Sequence, residues 1–147
     1  MDKHNVFVSY SHVDLKYLNQ LKRHFNTFKK RITFWDDGEI LVGQVWRHEI
    51  EKALEVSKIA ILLISADFFN SQFINNFELL KLLSDAELKG TKILSLIVKP
   101  CLFGEYSEIN KYQALNSPSK TLIQMSEAEQ EETFVKLVLL VKQNLLL

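Results

Sequence analysis

Two kinds of segment alternate along the chain: short runs rich in Val, Ile and Phe, and longer segments with an apolar residue at every third or fourth position. This alternation is typical of an α/β domain, in which strands are followed by helices. The run at 58–64 is apolar throughout its middle, as in a strand covered by helices on both faces. The short runs predict strands at Val6–Val8, Ile32–Trp35, Lys58–Ile64 and Lys92–Val98, with a weaker fifth at Thr121–Gln124.

The longer segments predict four helices. The third is expected to run from about Asn70 to Glu87 and to close at Gly90, which can adopt the left-handed conformation that often follows a helix. The fourth is expected to open at Ser126, because Glu129 stands at capping-box spacing from it. The apolar stripes of the first, second and fourth helices are Leu15, Leu18, Leu21, Phe25 and Phe28; Trp46, Ile50, Ala53 and Leu54; and Phe134, Leu137, Val138 and Val141.

Five strands alternating with helices predict a flavodoxin-like three-layer α/β sandwich with a five-stranded parallel sheet. We expect residues 1–147 to form one domain. The apolar end Leu145–Leu147 leaves open whether the last helix continues into a partner domain of a longer protein. Ligands of such sheets bind at the carboxyl ends of the strands, so those ends are the first place to search for a site.

Composition narrows the range of partners. Because 18 Lys plus Arg balance 18 Asp plus Glu, no strong field holds polyanions or anionic lipid, and neither nucleic acid nor a membrane is expected as a partner. The apolar runs are far shorter than the roughly 20 residues that span a bilayer. A single cysteine, Cys101, and the lack of an apolar secretion signal predict a cytoplasmic protein. The histidines show no metal-ligand spacing, so no metal is expected.

The first predicted strand runs into four polar or aromatic residues: Ser9, Tyr10, Ser11 and His12. Their hydrogen-bonding side chains beside a helix N-terminus could hold a phosphate or a ribose. An N-cap followed by a turn explains the same residues equally well. The chain has neither a Gly-x-Gly-x-x-Gly motif nor a Walker lysine, which argues against a Rossmann dehydrogenase or a P-loop NTPase.

The connection between the second strand and the second helix carries apolar Ile40, Leu41 and Val42 between two glycines. Apolar residues in an exposed loop usually bind something. In the alternative interpretation the three side chains fold under the loop and meet Trp46. Gly43, three residues before Trp46, would let the backbone turn sharply into the helix.

Glu78 lies in a helix with little polar face, since Ile74 and Leu82 flank it one turn away on either side. A carboxylate there is partly desolvated, and its presence calls for a reason. The alternative is a surface glutamate that pairs with a lysine. Phe73, just upstream, could stack on a planar ring, although an aromatic residue on a helix more often belongs to the core.

Several predicted strand ends carry motifs in a characteristic order: Val6–Ser11, Phe34–Asp36 with Gly43 and Trp46, Leu63–Ser65, Ser71–Phe73, and Glu78. The fourth strand ends with Ile97-Val98-Lys99-Pro100-Cys101. Together these motifs, which cover nearly the whole chain, resemble a Toll/interleukin-1 receptor (TIR) domain of the bacterial type.

The resemblance implies one of two functions. Many bacterial and plant TIR domains cleave NAD+ at the nicotinamide–ribose bond and release ADP-ribose or a cyclic variant of it, whereas many animal TIR domains only assemble with other TIR domains. The deciding residue of the family is a glutamate on the third helix, which here would be Glu78. Two departures from the commoner motif are Phe73 in place of Trp and one extra residue before the acid.

By this resemblance NAD+ is the substrate, no further cofactor is needed, and Glu78 is catalytic. The segment from Ser9 to His12, Gly43, and Trp46 or Phe73 would hold the rest of the dinucleotide. The loop tip at residues 40–42 would mediate self-association into an oligomer or filament, and a sensor domain or protein would trigger an immune or cell-death response. The alternative is a non-catalytic TIR module that acts by homotypic association.

A phosphoacceptor receiver domain is a third possibility from the same fold, because Lys99-Pro100 resembles the lysine–proline pair of that family. The remaining residues disagree with it. Receivers carry an acidic pair after strand one and an aspartate at the end of strand three, where this chain has Ser9-Tyr10-Ser11 and Ser65.

Overall fold

The computed structural model describes residues 5–26, 33–36, 45–70 and 78–146. The strands are β1 (Asn5–Tyr10), β2 (Thr33–Asp36), β3 (Ser57–Ile64), β4 (Lys92–Ile97) and β5 (Gln113–Ala114). The α-helices are α1 (Leu15–Phe25), α2 (Val45–Glu55), α3 (Ala66–Phe69), α4 (Glu78–Leu88), α5 (Ser107–Asn110) and α6 (Glu127–Leu146). Short 3-10 helices lie at His12–Asp14, Phe103–Glu105 and Leu122–Gln124.

The strands form one sheet in the order β2-β1-β3-β4-β5, and all the pairings are parallel. The predicted strands at β1 to β4 and the parallel α/β class are confirmed. β3 is the central strand, and its burial on both faces accounts for its continuous apolar run. The edge element β5 consists of only two residues, which pair with Leu94 and Ser95.

The prediction of a fifth strand at Thr121–Gln124 is wrong. Gln124 Oε1 accepts hydrogen bonds from both the backbone N–H (2.8 Å) and the hydroxyl (2.9 Å) of Thr121, which closes a 3-10 helix. At the end of β4, the Asn116 side chain bonds both the N–H and the C=O of Ile97, each at 2.9 Å. These side-chain bonds satisfy the strand edge that a longer fifth strand would have occupied.

Helices pack on both faces of the sheet in two apolar clusters. Alternate strand residues point to opposite faces, so that Val6, Val8 and Tyr10 of β1 join α1 and α6, whereas Phe7 joins α2 and α4. The third predicted helix is described only from Glu78 to Leu88, and Asn70 instead caps the short α3. Gly90 ends this region with a φ of 100°, as its predicted left-handed role requires.

Helix α6 opens with the predicted capping box. The Ser126 N–H donates to Glu129 Oε1 at 2.9 Å, and the Glu129 N–H donates to Ser126 Oγ at 3.2 Å. The predicted stripe faces the core, since its four residues are all buried: Phe134, Leu137, Val138 and Val141.

Among the described residues, no helix is both long enough and apolar enough to span a membrane.

This capping box predicts acid sensitivity. Hydrogen bonding to Lys120 and Ser126 lowers the pKa of Glu129 from its ordinary 4.5 to about 2. Because the folded-state pKa is depressed, Glu129 stabilises the fold above about pH 4.5, and this contribution disappears as the pH falls toward 2. Urea unfolding followed by circular dichroism from pH 2.5 to 6 should show a shallower acid loss in Glu129→Gln. Equal slopes for wild type and variant would contradict the assignment, and Glu132→Gln, on an exposed glutamate of the same helix, is the control.

Candidate functional site at the carboxyl edge of the sheet

The carboxyl ends of β1, β3 and β4 meet at one edge of the sheet because the strands are parallel and adjacent. Ser9 and Tyr10 end β1, Ser65 follows β3, and Lys99 follows β4. This edge therefore brings together polar side chains that lie far apart in the sequence.

The four residues at the end of β1 point in different directions. Ser9 is buried on the face covered by α2 and α4, whereas Tyr10 is buried on the opposite face with Tyr17. Ser11 Oγ accepts from the Val13 N–H at 3.3 Å and so acts as an N-cap, which agrees with the structural interpretation of that residue. His12 is exposed at the start of the 3-10 helix. Among the described contacts, Ser11 is therefore the member of this group that has a capping role.

An ion pair between Asp14 and Lys99, together with a hydrogen bond from Ser65, connects the ends of β1, β3 and β4. Asp14 is fully buried, and its Oδ1 lies 2.7 Å from Lys99 Nζ, whose side chain is 28% exposed. Ser65 Oγ donates to Asp14 Oδ2 and accepts from the Phe68 N–H at 3.1 Å, which caps α3. The hydrogen bond to Asp14 is also the main reason why the pKa of Lys99 is raised above its usual 10.5. The cluster fixes the β1–α1 turn against the ends of β3 and β4.

Asp14 was not predicted from the sequence. Its only signals were its position three residues after Ser11 and its charge, which is opposite to that of Lys99. The two residues come together only when the chain folds.

The ion pair also bears on the receiver interpretation. Ser65 occupies the end of β3, where a receiver carries its phosphoaccepting aspartate, and the carboxylate at this edge is buried against Lys99 instead.

Glu78 is the first residue of the described part of α4. Thr91, which follows this helix, donates from Oγ1 to the Ser57 carbonyl at 2.9 Å, so the helix ends at the amino edge of β3. Its 11 residues span about 16 Å, against about 26 Å for the eight residues of β3. Position 78 therefore lies in the half of the sheet nearer to its carboxyl edge.

Helical periodicity places position 78 between a buried row and an exposed row of α4. Leu79, Leu82 and Leu83 are buried, whereas Lys81 and Asp85 are exposed. The Glu78 side chain itself is outside the described side chains, so its location at the border of an apolar helix surface stays a prediction. The remaining candidates lie outside the described side chains: Trp46, in the first turn of α2, and Gly43, Phe73, Ile40, Leu41 and Val42, in segments that the structure does not describe.

An aromatic pair at the same edge was not predicted. The rings of Phe69, at the end of α3, and Tyr106, in the connection after β4, stack with centroids 3.7 Å apart and an interplanar angle of 6°. Phe69 is buried and Tyr106 is partly exposed. The aromatic residues that directly follow β3 were a possible signal, but the partner ring comes from a connection without periodic pattern.

Among the described residues, no group of three or more His, Cys, Asp or Glu side chains could hold a metal ion.

Comparison with known proteins agrees with the resemblance. Residues 6–138 match the family described as TIR domain. The chain is 24% identical over 141 residues to an uncharacterized protein, y4lF, of Sinorhizobium fredii (strain NBRC 101917 / NGR234). That alignment covers 95% of this chain and 43% of the relative, so the chain spans less than half of the curated relative that it matches.

Among solved structures, the chain is similar in fold to a diflavin flavoprotein A3 from Nostoc sp., with a TM-score of 0.60. The superposition covers 99% of this chain and 98% of the other, at 11% sequence identity. This likeness is one of fold alone, and it agrees with the expected flavodoxin-like arrangement of a parallel sheet between helices.

Proposed function

Because the chain belongs to the TIR domain family, we propose that it is an NAD+ glycohydrolase that cleaves the nicotinamide–ribose bond. Glu78 is the catalytic residue of this proposal. The observation that supports it most is the position of residue 78, toward the carboxyl edge of the sheet and beside the buried row of α4. Ligands of open parallel sheets bind at this edge.

One carboxylate is sufficient for the reaction. The bond from ribose C1′ to the pyridinium nitrogen breaks, and the electron pair of that bond leaves with nicotinamide, which departs as a neutral molecule. No general acid is needed, in contrast to the paired carboxylates of most glycoside hydrolases. The ionised Glu78 would stabilise the positive charge that develops on the ribose, and weak solvation strengthens this attraction. Water then adds at C1′ and releases a proton to give ADP-ribose, or an adenine nitrogen adds to give a cyclic product.

The substrate would lie along the carboxyl edge of the sheet. Ser9, Ser11 and His12 are proposed to contact ribose or phosphate oxygens, together with Tyr10 in the same segment. The Asp14–Lys99 ion pair stabilises this segment, because it fixes the turn that carries Ser11 and His12. Gly43, Trp46 and Phe73 complete the proposed binding residues.

We further propose that the enzyme works in the cytoplasm as a bacterial immune effector and is activated by self-association. The family suggests interaction between TIR domains, and the apolar sequence Ile40-Leu41-Val42 is the proposed contact. Recruitment by a sensor would raise the local concentration of the domain and switch the reaction on.

The test is nicotinamide release from NAD+, measured by liquid chromatography over a wide range of protein concentration. If self-association completes the site, the rate per molecule should rise with concentration, and Leu41→Glu should remove that rise. A constant rate per molecule would contradict activation by assembly. Absence of cleavage at every concentration, even with a crowding agent, would favour the non-catalytic module.

A further inference from the structure

The stacked rings of Phe69 and Tyr106 do not belong to the residues proposed above to bind or cleave the substrate. Both residues belong to the apolar cluster on the face covered by α2 and α4. This is the face toward which Ser9 points and on which the helix of Glu78 packs. Phe69 ends the short helix after β3, and Tyr106 lies in the connection after β4, so the pair stands at the carboxyl edge.

Phe69 holds one face of the Tyr106 ring in place. Their planes are within 6° of parallel at a centroid separation of 3.7 Å. Phe69 is only 3% exposed and also meets Phe68 edge to face, with centroids 5.7 Å apart. The exposed part of Tyr106 therefore lies on its other face or along its hydroxyl edge.

The backbone of Tyr106 is held as firmly as its ring. Its carbonyl accepts from the N–H of Ile109 at 3.0 Å and from that of Asn110 at 2.8 Å, which fixes it at the start of α5. A ring that is already ordered loses little side-chain entropy when a ligand stacks on it. Phe69 fixes the aromatic ring of Tyr106. Within the described part of the chain, the hydroxyl group of Tyr106 forms no hydrogen bond.

We propose that Tyr106, backed by Phe69, is a stacking surface for a planar heteroaromatic ring of the substrate. This inference rests on the proposed NAD+ cleavage, since it assigns a ring of that dinucleotide to the site. Aromatic faces are electron-rich, and the electron-poor rings of purines and pyridinium ions stack on them favourably. Adenine and nicotinamide are both planar heteroaromatic rings that can stack in this way. The experiment shows which of the two rings binds.

The experiment measures the binding of AMP and of nicotinamide mononucleotide separately, by calorimetry and by proton NMR. In the wild type, stacking should shift the Tyr106 ring resonances upfield with one of the two mononucleotides. Tyr106→Leu should weaken the binding of that mononucleotide roughly ten-fold, whereas Tyr106→Phe should retain it within about two-fold. Leu102→Ala, four residues earlier in the same connection and 71% exposed, is the control and should change nothing.

The outcomes separate this inference from the proposed reaction. Unshifted Tyr106 resonances with both mononucleotides would overturn the stacking surface, and this readout does not depend on whether Tyr106→Leu folds. If the wild type cleaves NAD+ and the folded Tyr106→Leu variant has an unchanged KM, the stacking surface is wrong and the reaction stands. If AMP binding depends on Tyr106 but no cleavage occurs, the reaction is wrong and the stacking surface stands.

Discussion

Glu78→Gln is expected to lower the rate of nicotinamide release by at least about 100-fold, while NAD+ binding changes only a few-fold. Glutamine keeps the size and the hydrogen-bonding oxygen of the side chain but removes its charge. The charge acts only when the ribose becomes positive in the transition state, so kcat falls and KM stays nearly constant. Loss of one preorganised electrostatic group typically costs about 100-fold to 1000-fold in rate.

A matched control lies on the same helix. Asp85 is an exposed carboxylate of α4, and Asp85→Asn removes the same charge two turns further along. That variant should cleave NAD+ at the wild-type rate. Unchanged cleavage by Glu78→Gln would refute the catalytic assignment, and equal losses in the two variants would mean that the helix, rather than the carboxylate of Glu78, matters. Circular dichroism and the unfolding midpoint show whether each variant is folded.

The elements that could be predicted from the sequence are those whose pattern reflects burial. β3 lies in the centre of the sheet and is buried on both faces, so every side chain in its middle had to be apolar. The four buried residues of the α6 stripe recur at helical spacing for the same reason. Gly90 and the Ser126–Glu129 box were also predictable, because each acts within a few residues of its own position.

The predictions that were wrong or missing depend on contacts between distant residues. Thr121–Gln124 has a strand-like composition, but the Asn116 side chain already occupies the backbone groups of Ile97. Asp14 was not predicted, since nothing local reveals that Lys99 comes to within 2.7 Å of it. The Phe69–Tyr106 stack joins two connections in the same way. Glu78 was found through its family motif and its apolar neighbours, and its role stays a prediction.

Lys99→Met is expected to reduce the free energy of unfolding by about 3 kcal/mol or more. Methionine keeps most of the length and the apolar stem of lysine, so the change removes mainly the charge. The carboxylate of Asp14 is fully buried and would be left without its ion-pair partner. Asp14→Asn should cost less, about 1 kcal/mol, because the amide oxygen can still accept from Ser65 and the partly exposed ammonium of Lys99 can reach solvent. Urea unfolding at pH 7 measures both, and equal costs would contradict this asymmetry.

The alkaline limb of the stability curve identifies the same interaction independently. Because the pKa of Lys99 is raised in the folded state, its contribution is fully present below about pH 10.5 and is lost as the pH rises further. Tyr112, whose pKa burial raises to about 12, adds its own alkaline loss, but it does so equally in wild type and variant. The difference between the two unfolding curves from pH 9 to 11.5 therefore isolates Lys99. It should shrink with rising pH, and a constant difference would mean that Lys99 acts through packing rather than through its charge on Asp14.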